Sequence, residues 1–186
     1  MEQEAIRRAR AGEHLAFQPL VEAYASLVWR TARALLPDGA ATEDTVQDVW
    51  LDVWRGLQSF DVNRPFRPWL LAIVANRCRM ARRKRALSTV GFAEAGYEVE
   101  ASNEDVESDM IRSETDAELT ATLAALPPDQ RRLIELRFFA KLSVSEIALV
   151  LGVAEGTVKS RLSRTLAAMR TYLLRASAGG SAGRQS

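Results

Sequence analysis

The sequence predicts an all-α protein: two small helical domains joined by a flexible acidic linker. Three observations carry this reading. Apolar residues recur at steps of three and four wherever the chain has a period, and no stretch alternates apolar and polar residues as a half-buried strand would. Prolines and glycines fall between these segments or at their starts, as at Pro68, Pro127, Pro128 and Gly152. The charges, which sum to only +1 over 186 residues, separate into blocks. From Arg64 to Arg85 there are eight basic residues and no acidic one, and from Glu94 to Glu118 ten acidic residues stand against one basic, Arg112. Basic residues again outnumber acidic ones from Arg131 to Arg175. Two modules suited to a polyanion thus flank a connector that would repel one.

The N-terminal domain is read as residues 1–85. After a short charged helix, Phe17, Leu20, Val21, Tyr24, Leu27, Val28 and Leu35 mark a long amphipathic helix that ends near Pro37 and Gly39. Proline is tolerated only in a first turn, so Pro19 means that this helix either starts close to Phe17 or is kinked. Thr42 is expected to cap the next helix, with Glu43 and Asp44 in its first turn. Val46, Val49, Trp50, Val53, Trp54 and Leu57 form its inner face, leaving Asp44, Gln47, Asp48, Leu51, Asp52 and Arg55 outward. Surface aspartates ordinarily mean solubility, yet an outward leucine among them hints at docking.

Residues 59–68 break the period and form a loop carrying Phe60, Arg64, Phe66 and Arg67. Pro68 then opens a helix that is apolar from Trp69 to Ala75 and basic from Arg77 to Arg85. Trp69, Ala72, Asn76, Arg79 and Arg83 share one stripe of it. Rings that stack exposed bases and cations that follow phosphates are what single-stranded nucleic acid needs. The same rings also suit a core beneath a basic surface, and the sequence leaves both readings open. Cys78 on this helix reads as a small buried side chain.

Residues 86–113 lack a period, are rich in Ala, Gly, Ser, Glu and Asp, and read as the linker. The C-terminal domain is read as 114–175. Leu119, Leu123 and Leu126 mark a helix stopped by Pro127, and Pro128 opens another through Leu133, Ile134, Leu136, Phe138 and Phe139. Ser143 and Glu146 then form a capping box for a short helix with Ile147, Val150 and Leu151 on one side. Gly152 permits a reversal, Val153 plugs the turn, and a last helix from near Glu155 repeats Val158, Leu162, Leu166 and Met169 inward. Its other face carries Thr157, Lys159, Ser160, Arg161 and Arg164, hydroxyls and cations of the type that reads base edges and phosphates. An ordinary helical hairpin with a solvated basic face gives the same pattern. Residues 176–186 read as a disordered tail.

Composition narrows the function classes. With 47% hydrophobic and 26% charged residues the chain buries a core. One histidine, His14, and one cysteine, Cys78, leave no disulfide framework, no metal cluster and no catalytic constellation, and no glycine-rich loop cradles a phosphate. An enzyme, a cofactor and a small-molecule substrate are therefore not expected. The first residues lack a signal peptide's apolar core and the longest apolar run, Trp69 to Ala75, is too short to span a bilayer, so a cytoplasmic location without membrane insertion is expected.

Three stretches resemble the bacterial sigma factors of the extracytoplasmic-function group, which retain regions 2 and 4. TEDTVQDVWLDVWRGLQSFD resembles the family's polymerase-binding helix, FRPWLLAIVANRCRMARRKR its promoter-melting helix, and LPPDQRRLIELRFFAKLSVSEIALVLGVAEGTVKSRLSRTLAAMR the whole of region 4. The resemblance covers roughly residues 5 to 175. It implies that Asp44, Gln47, Asp48, Leu51, Asp52 and Arg55 lie on core RNA polymerase. It further implies that Phe60, Arg64, Phe66, Arg67 and Trp69, with Asn76, Arg79 and Arg83, serve the minus-10 element of promoter DNA. Thr157, Lys159, Ser160, Arg161 and Arg164 would contact the minus-35 element, the acidic linker would thread toward the RNA exit path, and an anti-sigma factor would control the protein. Met80, where many relatives carry an acidic residue, and Pro19 are the departures. The competing function is a free-standing helix-turn-helix regulator, which has no use for the arginine-rich aromatic loop or the acidic connector.

Overall fold

The computed structural model describes residues 2–36, 38–89 and 121–180, and every regular element among them is helical. The N-terminal half comprises α1 (Glu2–Arg10), a 3-10 turn (His14–Ala16), α2 (Gln18–Leu35), α3 (Gly39–Gly56), a second 3-10 turn (Leu57–Ser59) and α4 (Phe66–Thr89). The C-terminal half has helical residues at 121–125, then α5 (Pro128–Ile134), a π-helical turn (Glu135–Phe139), α6 (Val144–Leu151) and α7 (Glu155–Gly180).

Pro19 falls in the first turn of α2, where no intrahelical donor is lost, so the helix begins at Gln18 without needing a kink. Leu20, Leu27, Val28 and Leu35 of α2 are buried. The cap of α3 differs from expectation. Asp38 holds that position, its carboxylate accepting from the Ala40 N–H at 3.0 Å, while Thr42 is fully buried and donates its hydroxyl to the Asp38 carbonyl at 2.7 Å. An aspartate four residues upstream was as good a cap and captured the helix earlier. Val49, Val53 and Leu57 point from α3 and its following turn into the core, where Leu70, Leu71, Val74, Ala75 and Cys78 of α4 meet them. Burying each such leucine contributes about 1.5 to 3 kcal/mol. Burial also pushes the Cys78 thiol up to about 12, which suits a packing role.

Two boundaries run past those expected. α4 continues through Thr89 instead of ending at Arg85, and α7 through Gly180 instead of Arg175. Ala86 and Leu87 follow the last arginine of α4, Ala176 and Ala178 follow that of α7, and no proline intervenes in either place. The rest of the expected linker and tail, 90–113 and 181–186, lies outside the described residues, as does Leu119.

The two halves meet along a seam. α6 packs against α4, and the π turn packs against α2. Across it Arg67 donates to Glu146 at 2.5 Å, and Arg30 donates to the Phe139 carbonyl at 3.4 Å.

Candidate nucleic-acid and docking interfaces

The basic helix α7 is aimed by the turn before it. The Glu146 N–H donates to Ser143 Oγ at 3.2 Å while the Ser143 N–H donates to the Glu146 carboxylate at 2.8 Å, closing both halves of the capping box. Gly152, at φ 70° and ψ 38°, turns the chain through a left-handed conformation that would strain a side chain. Beyond it, Lys159, Ser160, Arg161 and Arg164 are exposed and Thr157 is half-buried. Ser160 Oγ donates to the Thr157 carbonyl at 3.1 Å and Arg164 Nε to the Ser160 carbonyl at 3.3 Å, so both lie against their own helix. The inner face needs one correction. Val158, Leu162 and Met169 are buried, but Leu166 is 43% exposed and Thr165 takes its place at 1%. At 3.6 residues per turn, Thr165 returns to within about 20° of Val158 while Leu166 has drifted by roughly 80°.

The aromatic loop is also rearranged. Phe66 is 1% exposed, because it begins α4 and heads the inner stripe continued by Leu70 and Val74. It packs edge-on against Tyr24 and Phe60, so it supports the loop and offers no face to a base. Phe60 is buried, and Trp69 is half-buried with its ring centroid 4.7 Å from that of Phe60. Together with Arg64, Pro65 and Pro68 they line an open cleft of about 560 Å³, and Leu149 of α6 closes one side of it. Arg64 is exposed and faces Asp61 at 3.7 Å. Asn76, Arg79 and Arg83 do not line the cleft; they lie exposed along the α4 stripe that leads away from Trp69. Arg67 is held in the seam by Glu146. Burial would raise the Glu146 carboxyl, but hydrogen bonds from Arg67 and Ser143 outweigh it and hold the group below its usual range.

On α3, Asp44, Gln47, Asp48, Leu51 and Arg55 are exposed along one face, and Leu51 is 51% exposed. Asp52 is half-buried, because Arg77 of α4 grips it with two donors while lying 3.5 Å from Asp48. The Arg77 hydrogen bond lowers the Asp52 carboxyl against the opposing effect of burial. Sequence reading missed Arg77. Its signal was available: it is the first cation after the apolar run of a helix that must pack against the helix bearing two carboxylates one turn apart.

An all-helical pair of modules, one presenting a basic helix after a capped turn and the other a ring-lined cleft above a basic stripe, defines a protein built to meet nucleic acid. The chain matches the Sigma-70 region 2 family over residues 20–87 and the Sigma-70, region 4 family over 116–169. It is 34% identical over 171 residues to the ECF RNA polymerase sigma factor SigL of Mycobacterium tuberculosis, covering 90% of this chain and 94% of that one. Among solved structures it is similar to CnrH in complex with the cytosolic domain of CnrY (TM-score 0.60, 27% identity, 94% of this chain and 97% of the other). It is likewise similar to the sigma factor RpoE in complex with the anti-sigma factor NepR from Bartonella quintana (TM-score 0.61, 25% identity, 84% and 96%). The chain belongs to the extracytoplasmic-function family of RNA polymerase sigma factors. It directs RNA polymerase to promoters, and with both regions present in order the reading as a free-standing regulator is not favoured.

Proposed function

We propose a division of labour among three surfaces. The outward face of α3, with Asp44, Gln47, Asp48, Leu51, Asp52 and Arg55, docks on core polymerase. The cleft beside Phe60 and Trp69, with Arg64 in its lining, Arg67 in the adjoining seam and Asn76, Arg79 and Arg83 along α4, takes the separated strand of the minus-10 element. Thr157, Lys159, Ser160, Arg161 and Arg164 of α7 read the minus-35 element. The domain limits at 1–85 and 114–175 belong to this reading, extended by the helical residues to 89 and 180. The chain acts in the cytoplasm as a specificity subunit with no catalytic centre of its own. Among its described residues no helix is long and apolar enough to cross a membrane. Because the relative RpoE was solved with an anti-sigma factor, we extend that kind of partner to this chain.

The observation that carries the reading is α7: no carboxylate of the described residues pairs with Lys159 or Arg161. One such helix neutralises only a handful of phosphates. The free protein should therefore bind duplex DNA weakly and almost without selectivity, with Kd on the order of 10⁻⁴ to 10⁻⁶ M at physiological salt. Selectivity should emerge only with core polymerase, which fixes the spacing of the two modules. A gel-shift titration over minus-35 variants, with and without core enzyme, checks this. Tight, selective binding by the protein alone would instead restore the free-standing regulator.

A further inference from the structure

We propose that Arg77 is a positioning residue for polymerase docking: from α4 it holds Asp48 and Asp52 of α3 in one fixed arrangement that the polymerase meets as a unit. The proposal rests on the reading of the α3 face as the docking surface and adds the group that organises it.

The geometry is that of a clamp placed underneath. Arg77 Nε and Nη2 donate to the two oxygens of Asp52, and Nη1 lies 3.5 Å from Asp48 Oδ2. One planar guanidinium thereby binds Asp52 through a bidentate fork and still faces Asp48 one helical turn away, a fixed geometry that the compact ammonium of lysine does not reproduce. The side chain of Arg77 is 24% exposed, against 55% for Asp48 and 31% for Asp52. An incoming surface therefore meets Asp48 most and the cation least. Left alone, two aspartates at i and i+4 repel and choose rotamers independently. With Arg77 between them Asp52 is anchored by two hydrogen bonds and Asp48 is drawn toward the same cation at 3.5 Å, and each oxygen retains a lone pair for a cation from the partner.

A purely structural ion pair is the competing account. The α3 and α4 helices are already joined by Val49, Val53, Leu57, Leu70, Leu71 and Val74, all fully buried. A partly exposed ion pair adds little to such a contact. Arg77 also follows Asn76, the middle of the exposed α4 stripe, so the clamp fixes the register between the docking face and the helix proposed to follow the promoter strand.

The test uses the full-length protein and core polymerase, with affinity measured by competition against labelled wild type. Arg77→Met keeps length and removes the fork. It should weaken core binding by about tenfold while the helical circular dichroism and the thermal midpoint stay close to wild type. Arg77→Lys should recover only part of the loss. Asp52→Asn should cost less in the Arg77→Met background than in wild type, because the two changes break one unit. Should Arg77→Met fail to fold, the same cycle run with Arg77→Lys decides. Wild-type affinity in Arg77→Met, while the face variant Asp48→Lys/Leu51→Ala loses binding, would leave Arg77 a structural residue and overturn the proposal. Tighter binding would also overturn it, showing that Arg77 competes with the polymerase for the carboxylates. Normal binding by the face variant itself would remove the docking surface and this proposal with it.

Discussion

Asp48 and Asp52 carry the same side chain one turn apart, yet Arg77 holds them differently. Arg77 donates two hydrogen bonds to Asp52 and none to Asp48 within hydrogen-bond distance, and so Asp52 is held below its ordinary value of 3.8. A carboxyl with a lowered folded value contributes stability that is complete above the unfolded value and is lost as pH falls through the folded one. The pair should thus leave stability flat from neutrality down to about pH 4 and sensitive only below it. Carbon-detected titration of Asp52 checks the direction: its midpoint should rise toward 3.8 in Arg77→Met, and an unmoved midpoint would mean that Arg77 does not govern it. Other residues were legible from position alone to differing degrees. The outward α3 set followed from period, since one helix face is decided by spacing. Phe66 and Thr165 did not follow, because the start of α4 and the drift of α7 past two turns decide which of two neighbouring residues turns inward.

Between elements, one close packing in the N-terminal half depends on a glycine. A Cβ built on Gly56, at the end of α3, would lie 2.9 Å from Cζ2 of Trp69, closer than unstrained carbons approach. The absence of a side chain there is what lets the indole lie back against α3 and leave the cleft open. Gly56→Ala should gain helix propensity, about 1 kcal/mol in an ordinary helix, and still harm function by pushing Trp69 toward Phe60 and Pro68. Open-complex formation on a duplex promoter, followed by permanganate reactivity of unpaired thymines, should fall severalfold while core binding is retained. Normal melting in this variant would mean that the indole can move without consequence, and would count against the cleft as the strand-binding site. Sequence reading placed Gly56 in a helix without seeing this, since the contact is with a residue 13 positions on in a different element. The helix-turn-helix was far more legible: the capping box and the left-handed Gly152 are satisfied within ten residues, so local chemistry determines them.

At the scale of the whole molecule, the seam was beyond the reach of sequence, which treated its two sides as separate domains. Arg67 and Glu146 stand 79 positions apart. Each also serves a second role, since Arg67 borders the loop proposed to receive DNA and Glu146 completes the capping box. Leu149, one turn after Glu146, lies against the cleft. A separated strand that sought both Arg67 and the cleft would therefore have to displace α6. Glu146→Gln separates the two roles of the glutamate, because a glutamine oxygen still accepts from the Ser143 N–H while the charge facing Arg67 is gone. A partly exposed pair of this kind contributes up to about 1 kcal/mol, so affinity of the free protein for a single-stranded minus-10 oligonucleotide should rise by roughly twofold to fivefold. Fluorescence transfer between labels on the two halves should fall in step, and added salt should produce the same opening in wild type. Lowering pH should do so only below the ordinary glutamate range, because Glu146 titrates below 4.5 and its contribution is complete above that value. If oligonucleotide affinity and energy transfer in Glu146→Gln both match wild type, α6 does not guard the cleft, and the separated strand reaches Arg67 without parting the two halves.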